Sequence, residues 1–231
     1  MEIKIFQTKD EQDVFKMELS FIKKMLDNNE LNGDLAETGV MWGGTAKIIR
    51  EAIPDKSLYL FDTFTGLPNT IKRGVDPEHY REGDMTVDFE RVKYTFKDDK
   101  NVFIHQGIFP QETSRFIENK KFAFVHLDVD IYQSTRDALI FFYPRMEIGG
   151  SIVIHDYPAH GGVKRAVDEL MKGVGTPHLG KWKIWNKDPM VESGFRQLII
   201  RRRIPNLKLN LEVPKEKFVR VYEFDKTLLK K

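Results

Sequence analysis

The chain has no cysteine among its 231 residues. That absence excludes disulfides, thiolate-held zinc and thiol nucleophiles, and it suits a reducing compartment. Long apolar runs are missing as well: no stretch approaches the roughly 20 residues that span a bilayer, and the N-terminus has no signal-peptide core. Charge of one sign is scarce too, since 37 Lys and Arg against 35 Asp and Glu leave a net charge of +2. Such a balance gives no general electrostatic ground for holding nucleic acid. Arg201-Arg202-Arg203 and the Lys-rich end are the basic clusters. With no aromatic residues interleaved, they read as solvated faces rather than a track for phosphates. The expectation is a cytoplasmic protein without membrane or nucleic-acid partners.

What is present is enough apolar material for one large core: 41% of residues are hydrophobic and 12% aromatic. A single α/β domain over 1–203 is expected, with an N-terminal helix within 1–30 that could help form a lid, and an extension over 204–231. For that extension an added strand, a homodimer contact and a flexible tail are all open.

Two stretches organise the domain. Val125-His126-Leu127-Asp128-Val129-Asp130-Ile131-Tyr132 and Ile152-Val153-Ile154-His155-Asp156-Tyr157 are apolar runs that end abruptly in acid. Buried parallel strands whose carboxyl ends open into a crevice have this pattern, and ligands of open α/β sheets bind there. Asp128, Asp130, His155 and Asp156 would then converge on one place. So many acids need a cation to offset their repulsion; the plainer alternative is that they cap the following helices and face water.

Upstream, 34–40 reads as a first strand, and Gly43-Gly44-Thr45 opens a helix through Ile53. Strand, glycine turn and helix form a cradle for an anion at the helix start. The spacing is Glu37-x-Gly39-x-x-x-Gly43-Gly44, not the G-x-G-x-x-G of a dinucleotide site. Met41 and Trp42 interrupt that tighter pattern, which argues against a nicotinamide oxidoreductase. An acid before the first glycine suits an amino group, and the amides at the helix start suit a carboxylate. Together they describe the amino-acid end of S-adenosylmethionine. Asp62 ends a second strand, 57–62, where a carboxylate can hold ribose hydroxyls.

A long connection, 64–87, has the length of a functional lid. Helices are expected at 10–29, 88–96, 111–119, 133–143 and 163–171, and strands at 101–107, 122–128 and 151–156. Trp182 to Trp185 and Phe195 to Arg201 read as a closing hairpin. The fold expected is Rossmann-like α/β: a seven-stranded, mostly parallel sheet with helices on both faces and an antiparallel edge hairpin.

Four ordered motifs resemble one known family. They are Glu37-Thr38-Gly39-Val40-Met41-Trp42-Gly43-Gly44-Thr45, Phe61-Asp62-Thr63-Phe64-Thr65-Gly66-Leu67-Pro68, His126-Leu127-Asp128-Val129-Asp130-Ile131-Tyr132-Gln133-Ser134-Thr135, and Asp156-Tyr157. Over about 30–170 the chain resembles the macrocin O-methyltransferases, metal-dependent class I S-adenosylmethionine enzymes that methylate sugar hydroxyls. The resemblance implies a methyl-transfer enzyme acting on a small-molecule hydroxyl. Asp128, His155 and Asp156 would be its metal site and Asp130 its general base. The cofactor-binding set would be Glu37, Gly39, Thr45, Asp62, Thr63, Gln106 and Asp128. Magnesium is the ion the family implies. His155 departs from the family's Asp, and an imidazole favours manganese or a later transition metal. A non-catalytic protein keeping the same pocket is the alternative. His105, His126 and His160 receive no role.

Overall fold

The computed structural model describes residues 9–172, 183–184, 197–202 and 221–224. Helix α1, Lys9–Asp27, carries Phe15, Leu19 and Ile22 at helical spacing, and all three are buried against the sheet. Five parallel strands follow: β1 (Asp34–Thr38), β2 (Leu58–Asp62), β3 (Val102–Gln106), β4 (Phe122–Leu127) and β5 (Met146–His155). Between them lie α2 (Gly44–Ala52), α3 (Phe89–Thr95) and α4 (Tyr132–Phe142), and α5 (Gly161–Met171) comes after β5. The remaining strands are β6 (Lys183–Ile184), β7 (Gln197–Arg202) and β8 (Val221–Phe224). No helix among the described residues is long and apolar enough to cross a membrane.

The sheet order is β3-β2-β1-β4-β5-β7-β8-β6. Every residue of β4 is buried, as a central strand covered on both faces must be. One apolar cluster packs Ala138, Leu139 and Phe142 of α4 and Val163, Val167 and Leu170 of α5 on one face. The other packs residues of α1, α2 and α3 on the opposite face.

The expected Rossmann-like architecture is therefore present, with differences at its edges. Among the described residues the sheet has eight strands, where seven are expected. Among the described residues β6 and β7 do not pair with each other as a hairpin: β7 runs antiparallel to β5, and β8 lies between β7 and β6. β8 comes from the C-terminal extension and pairs parallel to β7, so Glu223 sits beside Arg201 in the ladder. Residues 185–196 and most of the extension lie outside the described residues. A helix expected at 111–119 is only a 3-10 turn, Ser114–Phe116. Its apolar residues, Phe116 and Ile117, are adjacent rather than spaced along one face, and the Glu112 carboxylate accepts the Ile108 N–H instead. β5 starts earlier than expected, at Met146, with Gly149 at φ +91 and a register shift against β4.

Strand order reverses between β1 and β4, which is where an open α/β sheet forms its crevice. Thr38 pairs with Leu127, and Leu127 with Ile154. The next residues on the three strands, Gly39, Asp128 and His155, therefore emerge side by side.

Candidate active site

Gly39 has φ +80, and a Cβ there would lie 1.7 Å from the Asp128 carbonyl oxygen. Only glycine allows the β1 end to pass so close to the β4 end. The Asp62 carboxylate holds the turn that follows: Oδ2 accepts the N–H groups of Val40 and Met41 at 2.8 Å each, and Oδ1 accepts that of Phe64 at 2.7 Å. Beside it, the Gln106 amide donates to the Thr63 carbonyl at 3.3 Å, and the Thr63 hydroxyl donates to the Gly66 carbonyl at 2.6 Å. Gly43, at φ +79, precedes α2, whose first turn, including Thr45, has no side-chain cap. Its amide groups are thus available to an anion.

Glu37 is held one layer beneath the glycine turn. The alternation of β1 sends its side chain to the face covered by α1. There it is fully buried, with Oε1 2.8 Å from Nδ1 of His126. Phe15 stands edge-on to that imidazole at 4.9 Å.

The acids meet as the sequence suggests. His155 Nδ1 lies 3.1 Å from Asp128 Oδ1 and 3.4 Å from Asp156 Oδ2. A cation with bonds of about 2.1 Å sets neighbouring ligand atoms about 3 Å apart, so this donor set fits one. Asp130 and Asp156 both have left-handed backbones, φ 60 and 58. Asp tolerates that region better than most residues, and such strained positions cluster at functional sites.

Two residues that had no role in the sequence reading complete the cluster. His160 Nδ1 lies 3.1 Å from Asp156 Oδ2 and 3.9 Å from Asp130 Oδ1. The Tyr80 hydroxyl donates to Asp130 Oδ1 at 3.2 Å. Asp130, Asp156 and His160 form a second group whose ligand atoms lie within 4.8 Å of one another, next to Asp128, His155 and Asp156. A signal for His160 existed, since it follows Asp156 by four residues in a turn closed by its N–H on the Asp156 carbonyl at 2.9 Å. Tyr80 had none, lying within a long connection without periodicity.

Charge sets the protonation of the cluster. Burial, then repulsion from Asp128 and Asp156, pushes the Asp130 carboxyl well above its ordinary range. Burial pulls the His155 imidazole down, but Asp128 and Asp156 more than offset it and raise it to about 11. Burial opposes ionisation of Asp128, and the His155 cation outweighs it, holding that carboxyl low. Burial and the nearby Asp130 and Asp156 push the Tyr80 hydroxyl up. It therefore stays a hydrogen-bond donor at neutral pH.

A parallel sheet that reverses at β1/β4, with a glycine turn at the first strand end and acids at the next two, is the architecture of the class I methyltransferases. The O-methyltransferase NovP superposes with a TM-score of 0.63 at 25% identity, over 83% of this chain and 80% of that one. CalS11, a calicheamicin methyltransferase, shares the fold with a TM-score of 0.56 at 18% identity, over 79% of this chain and 78% of that one. Residues 17–177 match the model of the macrocin-O-methyltransferase (TylF) family, and the chain belongs to that family. The demethyldecarbamoylnovobiocin O-methyltransferase of Streptomyces niveus is 30% identical over 155 residues, which cover 61% of this chain and 59% of that protein. A tetracenomycin-related 4'-O-methyltransferase of Streptomyces olivaceus is 33% identical over 140 residues, covering 54% and 53%. The matched region is thus between 53% and 59% of the length of these curated relatives.

Proposed function

We propose that this chain transfers the methyl group of S-adenosylmethionine to a hydroxyl of a sugar or other diol-bearing small molecule, assisted by a divalent cation, with Asp130 as general base. The observation that carries this reading is the strand register that sets Gly39, Asp128 and His155 side by side at the sheet reversal, with Asp130 two residues beyond. One crevice would thereby bring together a cradle for the methyl donor, a donor set for a cation and a proton acceptor.

The glycine turn and the uncapped start of α2 would hold the amino-acid end of the donor. Asp62, Thr63 and Gln106 mark the strand ends where its ribose and base would lie. Asp128, His155 and Asp156 would hold the cation, which when bound makes an acceptor hydroxyl more acidic and fixes its position. A sulfonium methyl is already activated, so the protein's task is alignment and removal of one proton. The hydroxyl oxygen forms a bond to the methyl carbon, the carbon–sulfur bond breaks with its electron pair left on sulfur, and the hydroxyl proton passes to Asp130.

The test is methyl transfer after chelation and re-addition of magnesium or manganese, with demethyldecarbamoylnovobiocin as the first acceptor and simple sugar diols after it. Metal-dependent formation of a methyl ether is expected. Saturable S-adenosylmethionine binding with no cation-dependent transfer to any hydroxyl acceptor would overturn the reading.

A further inference from the structure

The connection between β2 and α3 is a loop with a closed neck. Leu67 donates its N–H to the Asp84 carbonyl at 2.8 Å, and Gly83 donates to the Leu67 carbonyl at 2.9 Å. Gly66 lies in the neck at φ +89, and a Cβ there would come within 2.3 Å of the Gly83 oxygen. Chain that leaves and returns through one neck forms a compact loop of the kind that is often functional.

The body of this loop is anchored at two buried points. Asp76, 4% exposed, accepts the N–H of Tyr132 through Oδ1 at 2.7 Å and that of Lys72 through Oδ2 at 2.6 Å. Tyr132 opens α4, and the first turn of α5 approaches from the other side: a Cβ on Gly162 would lie 1.8 Å from Asp76 Oδ1, and one on Gly161 2.8 Å from the Val75 oxygen. A carboxylate between the first turns of two helices is favourably placed, and the glycine pair makes room for it. Four residues further, Tyr80 is 6% exposed and packs with Leu67 and Ile131 in a small apolar cluster separate from the two main ones. Its hydroxyl reaches Asp130 Oδ1, and its ring stands edge-on to His160 at 5.8 Å.

We infer that Tyr80 is a positioning residue for Asp130 and that Asp76 is the latch that brings it there. This rests on the assignment of Asp130 as base. With the loop latched, the Tyr80 hydroxyl occupies one oxygen of a carboxylate carried on a left-handed backbone, and so fixes the direction in which the other oxygen meets the acceptor hydroxyl. The loop completes the site rather than merely covering it. Release of the latch withdraws Tyr80, so base orientation depends on loop closure.

The test uses the full chain and its Asp76→Asn, Tyr80→Phe and Asp130→Asn variants. Asn at 76 keeps one acceptor oxygen and places an amide against the second N–H. Amide exchange across 67–84 and at Tyr132 should then rise by roughly tenfold or more, with the core strands unchanged; equal exchange in both proteins overturns the latch. Replacing the carboxyl partner of a tyrosine hydroxyl alters its near-UV absorption. Asp130→Asn should therefore change the tyrosine band in the parent and not in the Tyr80→Phe background; a change of equal size in both overturns the contact. In turnover with demethyldecarbamoylnovobiocin, Tyr80→Phe should lower kcat with little change in acceptor KM. An active Asp130→Asn would sink the base assignment and leave the Tyr80–Asp130 contact to the absorption test. An inactive Asp130→Asn beside a Tyr80→Phe of unchanged kcat would sink the positioning role alone. Tyr80→Phe removes a single oxygen, so it decides that role even if Asp76→Asn fails to fold.

Discussion

Nδ1 of His126 and Oε1 of Glu37 lie 2.8 Å apart in neighbouring strands, each side chain only 1% exposed. Burial pushes the Glu37 carboxyl up, His126 pulls it partly back, and it settles at about 7 instead of 4.5. Between those values the folded chain holds a proton that the unfolded chain has released. More protons are then bound when folded, so stability should fall as pH rises from about 4.5 to about 7 and level off above. Glu37→Gln keeps the shape and cannot titrate, so its slope through that window should be flatter than the parent's. Thermal melts of the two proteins across that range check this; parallel curves would mean that Glu37 ionises normally.

Asp62 accepts three backbone N–H groups, from Val40, Met41 and Phe64. A residue that only held ribose would lower cofactor affinity on mutation and leave the fold alone. Asp62→Ala should do both: unfold at lower temperature by the worth of lost charged hydrogen bonds, about 1.5–3 kcal/mol each at most, and bind S-adenosylmethionine more weakly. Calorimetry of binding and a thermal melt on one sample give the answer. An unchanged melting temperature would show that the turn holds without this carboxylate.

Asp130→Asn should retain the fold, because Asn also tolerates the left-handed backbone found at φ 60. It removes the proposed proton acceptor, so the rate of methyl transfer should drop roughly 10²–10⁴-fold while S-adenosylmethionine affinity holds. Single-turnover measurement isolates that step. Near-normal transfer would assign the proton to another group, such as His160, whose Nδ1 lies 3.9 Å from Asp130 Oδ1.

The central fold was legible because β4 and β5 announce themselves as apolar runs ending in acid, and the helices by periodicity. The same reading placed Asp128, Asp130, His155 and Asp156 together. It failed where local pattern gives no direction. The pairing of Glu37 with His126 was not legible, because which side chains meet across two strands depends on register and on α1 lying above them. Tyr80 and Asp76 were invisible because a loop has no period from which to infer what it touches. The edge strands misled for a related reason: β6 and β7 are consecutive in sequence, yet β8, from much later in the chain, separates them.

His155 carries the sharpest consequence. Its imidazole is raised to about 11, since burial alone would lower it but Asp128 and Asp156 outweigh that effect. Near neutral pH the ring is therefore a cation that occupies, in charge, the place a metal ion would take. For the ring to ligate an ion it must first lose that proton, so binding should release close to one proton per ion at neutral pH. Affinity should then fall by about tenfold for each unit of pH decrease below the raised value, and not only near the ordinary histidine range. The ring also favours manganese or a later transition metal over magnesium. His155→Asp should remove the proton release, flatten the pH dependence around neutrality and move the preference toward magnesium. Calorimetric titration of each metal into chelator-treated protein, in buffers of different ionisation enthalpy, counts the protons directly. If parent and variant release the same number and rank the metals alike, His155 keeps its proton against Asp128, and the ion, where it binds, is held by the two aspartates and water.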